Sequence, residues 1–352
     1  MIADIRLQNY RSYEDKKFSF DPNINIISGP NASGKTNLLE AILMVSKGKS
    51  YRAKDNELIQ FNKNWLKITA TLDDGTKRVT KIDNVKNFTI NDKQYKRLPP
   101  DKTLPLVLFE PNHLLLLTGS PDKRRDYLDD LIEQTNPQYA KIRNQYQRTL
   151  DQRNRLLKQL NLKNNHLFPW DIKLSQLAGQ VILARLKITE LINEQISQIY
   201  KSLSGDNKNL KLKYLNSWPA ETYETNLLKS LETNLIIDNQ KGYTSVGPHR
   251  EDFETTLNNK NSIKVASRGE LRTLVLTLKI IELQIIESVR GQKPLLLLDD
   301  VFSELDKQRT NHLLKMLDRN QVFITTTNNN YQINKSKQVR KIKLDNTRTT
   351  RA

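Results

Sequence analysis

Gly29-Pro30-Asn31-Ala32-Ser33-Gly34-Lys35-Thr36 is the stretch that decides the fold class. It fits the pattern of two glycines five positions apart, with Lys and a hydroxyl residue after the second. Ile24 to Ile27 before it is a short apolar run of strand type. After it, apolar residues at helical spacing predict a helix from about Lys35 to Lys47. A glycine-bounded turn between strand and helix lets successive backbone N–H groups curl round an anion. The helix N-terminus adds partial positive charge at the same point. In this motif the Lys35 ammonium reaches the β- and γ-phosphates of a nucleotide, and the Thr36 hydroxyl ligates Mg²⁺.

Outward from the loop, the chain alternates strand and helix patterns. Ile2 to Leu7 and Lys17 to Phe20 read as strands, and residues 65 to 108 as further strands with polar turns at Asp73-Asp74-Gly75 and Asn91-Asp92. From about residue 120 the period becomes helical. Leu128, Leu131, Ile132, Tyr139, Ile142, Tyr146 and Leu150 form one stripe, with a new helix starting at Pro137. A second stripe runs from Leu174 to Leu203 and stops at Ser204-Gly205-Asp206. Asn161 to Pro169 lies between the stripes as a polar turn region, so they predict an antiparallel helical arm. A helix near Gly269 to Glu287, a strand at Leu295 to Leu298, a helix at about 306–317 and a strand at Val322 to Thr326 follow. This order predicts a mostly parallel α/β sheet interrupted by a helical insertion. The expected parts are 1–120 and 206–352 as the two halves of an ATPase domain, with 121–205 as the arm and a basic stretch at the C-terminal end.

Composition narrows the partners. The chain has 352 residues, 57 Lys or Arg against 39 Asp or Glu, and a formal charge of +18. That length suggests about two domains. With 37% hydrophobic and 27% charged residues, it reads as a folded, water-soluble protein. No run of about 18 apolar residues predicts a membrane span, and the N-terminus has no secretory h-region. Cysteine is absent, which excludes disulfides, thiolate metal sites and Cys nucleophiles and fits a reducing compartment, the cytoplasm. The charge favours a polyanion, nucleic acid above an anionic membrane. No base-reading motif is present, so binding is expected to be backbone-led and salt-sensitive. Arg143, Arg148, Arg153, Arg155 and Lys158 read as a solvated face of the arm, open to phosphate contact. Lys123-Arg124-Arg125 near a helix start opposes the macrodipole and hints at an anionic partner.

Leu295 to Leu298 run straight into Asp299-Asp300. Carboxylates leaving the C-terminal edge of a buried strand stand where α/β ligands bind. One can hold Mg²⁺ through its waters, and the other can orient or deprotonate an attacking water.

Further segments resemble a known class. Ser267-Arg268-Gly269-Glu270 opens a helix, and Ser303-Glu304-Leu305-Asp306 follows the acidic strand end. Together with the phosphate loop, they are similar to the ATPase heads of ABC and SMC proteins. Asn9-Tyr10-Arg11-Ser12-Tyr13, Gly34 to Ile42, Gly48-Lys49-Ser50-Tyr51-Arg52, Leu108-Phe109-Glu110-Pro111, Gly119-Ser120-Pro121, Arg124 to Asp129, Gly247-Pro248-His249-Arg250-Glu251-Asp252 and Val322 to Thr327 narrow it further. Their order and spacing resemble the RecF family from Met1 to about Thr327.

The resemblance implies an α/β ABC/SMC-type P-loop ATPase head with an inserted helical arm. It implies an ATP-dependent DNA-binding protein of bacterial recombinational repair and replication. Such proteins hydrolyse ATP slowly, dimerise on ATP, and act with RecR and RecO at gapped DNA to help load RecA. Carried over by position, Gly29 to Thr36, Asn31 among them, would bind nucleotide. Arg11 would approach the phosphates, and Asp299 would sit near Mg²⁺ with Thr36. Asp300 would take the catalytic carboxylate's place, and Thr327 or its neighbour Thr326 would sense the γ-phosphate. Ser267 and Gly269 would grip the γ-phosphate on another subunit's loop. Three positions depart from the pattern, one of them, Glu251 in place of Asp, conservatively. Glu270 replaces the usual Gln, and its carboxylate would weaken γ-phosphate sensing unless it faces away or pairs with Arg268 or Arg272. Asn112-His113 replaces two acids. The competing readings are a transporter-type ABC ATPase and a defence-type ATPase coupled to another partner.

Overall fold

A computed structural model describes residues 1–159, 167–303, 310, 319–327 and 339–345. The chain begins with β1 (Ile2–Tyr10), β2 (Tyr13–Ser19), β3 (Ile24–Ser28) and helix α1 (Lys35–Lys47). β4 (Leu66–Leu72), β5 (Lys77–Ile82), β6 (Lys86–Ile90), β7 (Lys93–Tyr95) and β8 (Leu106–Phe109) follow. Then come α2 (Leu115–Thr118), α3 (Pro121–Thr135), α4 (Pro137–Leu157), α5 (Phe168–Asn193) and α6 (Ile196–Ser204). β9 (Leu210–Leu215), α7 (Tyr223–Thr233), α8 (Leu235–Lys241), β10 (Asp252–Leu257), β11 (Lys260–Asn261) and α9 (Ser262–Val265) lead to α10 (Arg268–Arg290). β12 (Leu295–Asp299), β13 (Val322–Thr326) and β14 (Val339–Lys343) come last.

These elements divide into two compact units, Met1–Pro111 with Ile286–Ala352, and Asn112–Ile285. In the first, β14, β3, β13, β12 and β8 form a five-stranded sheet in that order, every pair parallel. β2, β1, β4, β5, β6 and β7 form a second, antiparallel sheet. Asn91 and Asp92 both have positive φ at the hairpin between β6 and β7, a turn that matches strand twist. α1 packs against β4 and β5 of one sheet and β8, β12 and β13 of the other. Its Leu38 to Ser46 are therefore buried without interruption, as a helix covered on all sides requires. β3, β12 and β13 are buried at every position, which explains the unbroken run Leu295 to Leu298 of β12.

In the second unit, α4 and α5 pack together and run antiparallel. Arg153 late in α4 meets Asp171 early in α5 at 2.6 Å. At the other end, Tyr139 of α4 and Arg185 of α5 both bond Asp129. The second apolar stripe is two helices, since the chain breaks at Glu194-Gln195 between α5 and α6.

Residues 206–285 differ from the expectation that placed them with the ATPase: they belong to the second unit. The physical reason is a set of long-range polar contacts. Arg185 donates to the Tyr214 hydroxyl and to the Pro248 carbonyl, both at 2.8 Å. Tyr223, Leu227 and Leu231, four apart and fully buried, are the pattern that marks α7.

Several cations read as solvated or partner-seeking are satisfied internally. Arg153 is fully buried and donates to Asp171, Asp238 and Thr244. Arg143 pairs with Asp126, Asp129 and Glu133. Arg124 makes a two-point bond to Asp252 and donates to the carbonyls of Leu117 and Gly119. Arg125 donates to Asp122 and to the Glu251 carbonyl. Arg148, Arg155 and Lys158 do remain exposed. Glu304-Leu305-Asp306, most of the expected helix at about 306–317, and Lys335, Lys337, Arg348 and Arg351 lie outside the described residues.

Replacing Arg153 by Met would leave Asp171 and Asp238 buried without their cation. The expected cost is roughly 3–5 kcal/mol. Urea unfolding followed by circular dichroism should show the loss; an unchanged midpoint would deny the network its structural role.

Candidate functional site

Parallel pairing of β3, β13 and β12 brings the ends of three strands side by side, and the loop opens from the end of β3. Ala32 and Gly34 take left-handed conformations, with φ of 64° and 96°. A Cβ at Gly34 would stand 2.8 Å from the Tyr13 hydroxyl, so this position needs glycine twice over. That hydroxyl donates to the Gly34 carbonyl at 3.0 Å. Pro30, Asn31 and Ala32 are exposed, while Ser33 is buried and its hydroxyl has no hydrogen-bond partner. Together with the α1 N-terminus, this orphan donor suits an anion.

The Lys35 ammonium donates back to the carbonyls of Gly29 and Pro30, at 2.8 and 2.7 Å. Burial pulls its pKa below the usual range, and the charges of Asp300 and Asp299 push back against that. The Thr36 hydroxyl donates to Asp299 Oδ1 at 3.0 Å. Thus the two segments picked out separately in the sequence meet. Sequence reading missed Thr325, which lies opposite Asp299 in the strand register. Its hydroxyl donates to the same Asp299 oxygen at 2.7 Å and accepts from the Asp300 N–H at 2.9 Å. Asp300 has φ of 49°, a left-handed conformation that costs a non-glycine residue about 1 kcal/mol or more. Thr326 joins the loop through its carbonyl, which accepts from the Gly29 N–H at 3.3 Å. Thr327 is exposed just beyond β13 and makes none of these contacts.

The oxygens of Thr36 and Asp299 are hard donors and suit Mg²⁺, which binds through few protein ligands and keeps waters. Among the described residues no group of three or more His, Asp or Glu could hold a metal ion, so an all-protein cage is not offered.

Arg11 is fixed to α1. It donates to both oxygens of buried Glu40 at 3.2 Å and to the Glu57 carbonyl at 3.0 Å. Arg52 and Ser50 also donate to Glu40. Burial alone would raise the Glu40 pKa; the bonds from Arg52, Ser50 and Arg11 outweigh it and hold the carboxyl below its usual range. Nothing in the sequence pattern singled out Glu40 as the hub.

Ser267 and Gly269 lie in the second unit at the start of α10, Ser267 exposed and Gly269 half-buried. Ser267 and Glu270 form a capping box. The Ser267 N–H donates to Glu270 at 2.7 Å, and the Glu270 N–H donates to the Ser267 hydroxyl at 3.3 Å. Glu270 pairs with Lys208, not with Arg268 or Arg272 as the sequence suggested. The Lys208 ammonium and the Ser267 donors hold its carboxyl down, at about 2.

His249, in the Gly-Pro-His-Arg segment, is also engaged. It accepts from the Tyr146 hydroxyl at Nδ1 and donates from Nε2 to the Thr244 carbonyl. Burial lowers its pKa to about 4, so it is neutral near pH 7.

A family model described as the RecF/RecN/SMC N terminal domain matches residues 1–351. The DNA replication and repair protein RecF of Natranaerobius thermophilus is 36% identical over 350 residues, covering 93% of this chain and 91% of that protein. The protein of the same name from Clostridium perfringens is 36% identical over 336 residues, covering 93% and 92%. This chain belongs to the RecF family. The solved structure of the recombination mediator protein RecF with ATP, in the RecFOR pathway, superposes with a TM-score of 0.87 at 33% identity, over 94% of this chain and 93% of that one. An Smc head bound to a winged-helix domain of ScpA gives 0.53 at 17% identity, which speaks for the fold alone. The RecF-family chain is thus an α/β head of the ABC/SMC ATPase type.

Lys208→Met should return the Glu270 carboxyl toward the ordinary range above about 4, observable as a shifted carboxyl titration by NMR. Because the folded pKa is depressed, the cap is intact above the unfolded pKa and is lost as pH falls through about 2. An unmoved titration would mean that Lys208 is not what holds Glu270 down.

Proposed function

We propose that this chain is an ATP-gated DNA-binding protein of recombinational repair, in which ATP closes two copies around gapped DNA. The observation that carries the reading is the Thr36–Asp299 contact, which joins the phosphate loop to the acidic strand end. Family membership supports the rest: action with RecR and RecO, promotion of RecA loading, slow hydrolysis, and a cytoplasmic setting. The +18 charge and the RecF-like segments outside the ATPase motifs favour this reading over a transporter-type ATPase coupled to a membrane partner; among the described residues no helix is long and apolar enough to cross a membrane.

In this reading the loop amides of residues 29–34 and the α1 N-terminus hold the phosphates. Lys35 leaves the Gly29 and Pro30 carbonyls for the β- and γ-phosphates. Thr36 and Asp299 would hold Mg²⁺, which when bound neutralises phosphate charge and fixes its geometry. Asp300 orients the attacking water, and Thr327 or Thr326 senses the γ-phosphate. Ser267 and Gly269 of a second copy close the site, so each chain supplies half of two sites. Capping and the Lys208 pair keep Glu270 occupied, which limits the repulsion expected of a carboxylate at that turn. Arg148 and Arg155 are exposed seven residues apart on α4, one face of about two turns, and fit phosphates of a DNA backbone.

Lys35→Ala should weaken ATP binding by at least about tenfold, read by calorimetry; normal affinity would remove the phosphate-loop assignment. Fluorescence anisotropy of a gapped duplex, with and without ATP-Mg²⁺ at two salt concentrations, tests the clamp. Light scattering on the same samples reports mass. ATP-dependent, salt-sensitive binding together with a doubled mass is expected. Binding indifferent to ATP, with no dimer, would overturn the gating.

A further inference from the structure

We infer that Thr325 is a positioning residue for this ATPase site: one buried hydroxyl sets both the metal-side carboxylate of Asp299 and the strained backbone of Asp300. The proposal rests on the nucleotide-site reading above. Thr325 is 1% exposed, in the middle of the parallel sheet. A hydroxyl has one proton and accepts through its lone pairs. Here the proton goes to Asp299 Oδ1 at 2.7 Å, and a lone pair receives the Asp300 N–H at 2.9 Å. The Leu298 carbonyl stands farther off, at 3.5 Å. Both roles of the hydroxyl are therefore spent on two consecutive acids. Because Thr36 also donates to Asp299 Oδ1, that oxygen is held from two sides and the carboxylate is locked in rotation. Its other oxygen accepts no hydrogen bond from the described residues, which leaves it available to a metal or its water. The Asp300 N–H bond matters for a different reason. Asp300 has φ of 49°, and a backbone in that region persists only where its surroundings fix it. Thr325 supplies that fixing bond and so sets where the Asp300 carboxylate leaves the strand. A valine has the same shape but makes neither bond.

The test compares Thr325→Val, Thr325→Ala and Thr325→Ser with the unaltered chain. Three quantities are read: ATPγS affinity by calorimetry with and without Mg²⁺, the spectrum of Mn²⁺ bound with ATPγS by electron paramagnetic resonance, and ATP turnover against Mg²⁺ concentration. Thr325→Val should keep metal-free nucleotide affinity within about threefold. It should raise the Mg²⁺ concentration for half-maximal turnover and lower turnover by about 10–100-fold, the usual effect of losing a group that orients a metal ligand. The Mn²⁺ signal should weaken or change shape. Thr325→Ser keeps the hydroxyl and should restore all three. Should valine misfold, as judged by circular dichroism, Thr325→Ala removes the same hydroxyl and takes its place. Unaltered Mg²⁺ dependence, Mn²⁺ spectrum and turnover in a folded Val or Ala variant would overturn the positioning role while leaving the nucleotide site intact. A parent chain that binds no ATPγS would instead overturn the nucleotide-site reading, and the inference with it.

Discussion

A single carboxylate oxygen ties the ends of the parallel sheet to the phosphate loop. Asp299 is 7% exposed at the end of a strand that is otherwise entirely apolar. A carboxylate so placed is costly unless donors meet it. Thr36 meets it from the start of α1 and Thr325 from β13. The loop conformation, the register of β12 on β13 and the left-handed turn at Asp300 all agree with that one arrangement. The buried helix α1 fixes its own start against both sheets, so the donors cannot drift far from the acceptor.

The second unit uses charge differently. Arg153 and Arg185 sit inside it with Asp171, Asp238 and Asp129 around them. Such buried pairs add little net stability over an apolar core, yet removing one partner is severe. Their geometric effect here is to hold segments far apart in sequence in one arrangement, because planar guanidinium groups accept few alternatives. They also subtract from the cations available to a polyanion. A formal charge of +18 is a bound on the electrostatic attraction, and the exposed Arg148, Arg155 and Lys158 are a better guide to where a phosphate backbone could lie.

The start of α10 illustrates how one substitution can be absorbed. A carboxylate in place of an amide adds a negative charge to a turn expected to meet phosphate. Glu270 receives the Ser267 amide and the Lys208 ammonium, and both favour its charged form. A negative residue in the first turn of a helix is also favoured by the macrodipole. The same change that was expected to weaken γ-phosphate sensing therefore stabilises the start of the helix.

Much of the fold was legible in the sequence by itself. The glycine spacing gave the loop, and helical period gave α1 from Lys35 to Lys47. The unbroken apolar run Leu295 to Leu298 marked β12 as a buried strand, and Val322 to Thr326 was read as the strand that became β13. The candidate residues Lys35, Thr36 and Asp299 followed from motif chemistry, since local spacing is enough to place a loop lysine and its hydroxyl neighbour. Tertiary structure alone decided the rest. Whether Thr325 faces Asp299 depends on which strands pair and in what register, and register is set by packing between distant segments. Whether Arg153 is solvated or buried depends on acids 18 and 85 residues away. The grouping of residues 206–285 with the arm turns on Arg185 reaching Tyr214 and Pro248. Local periodicity reports which face of an element is apolar; it carries no information about which remote polar group will meet it.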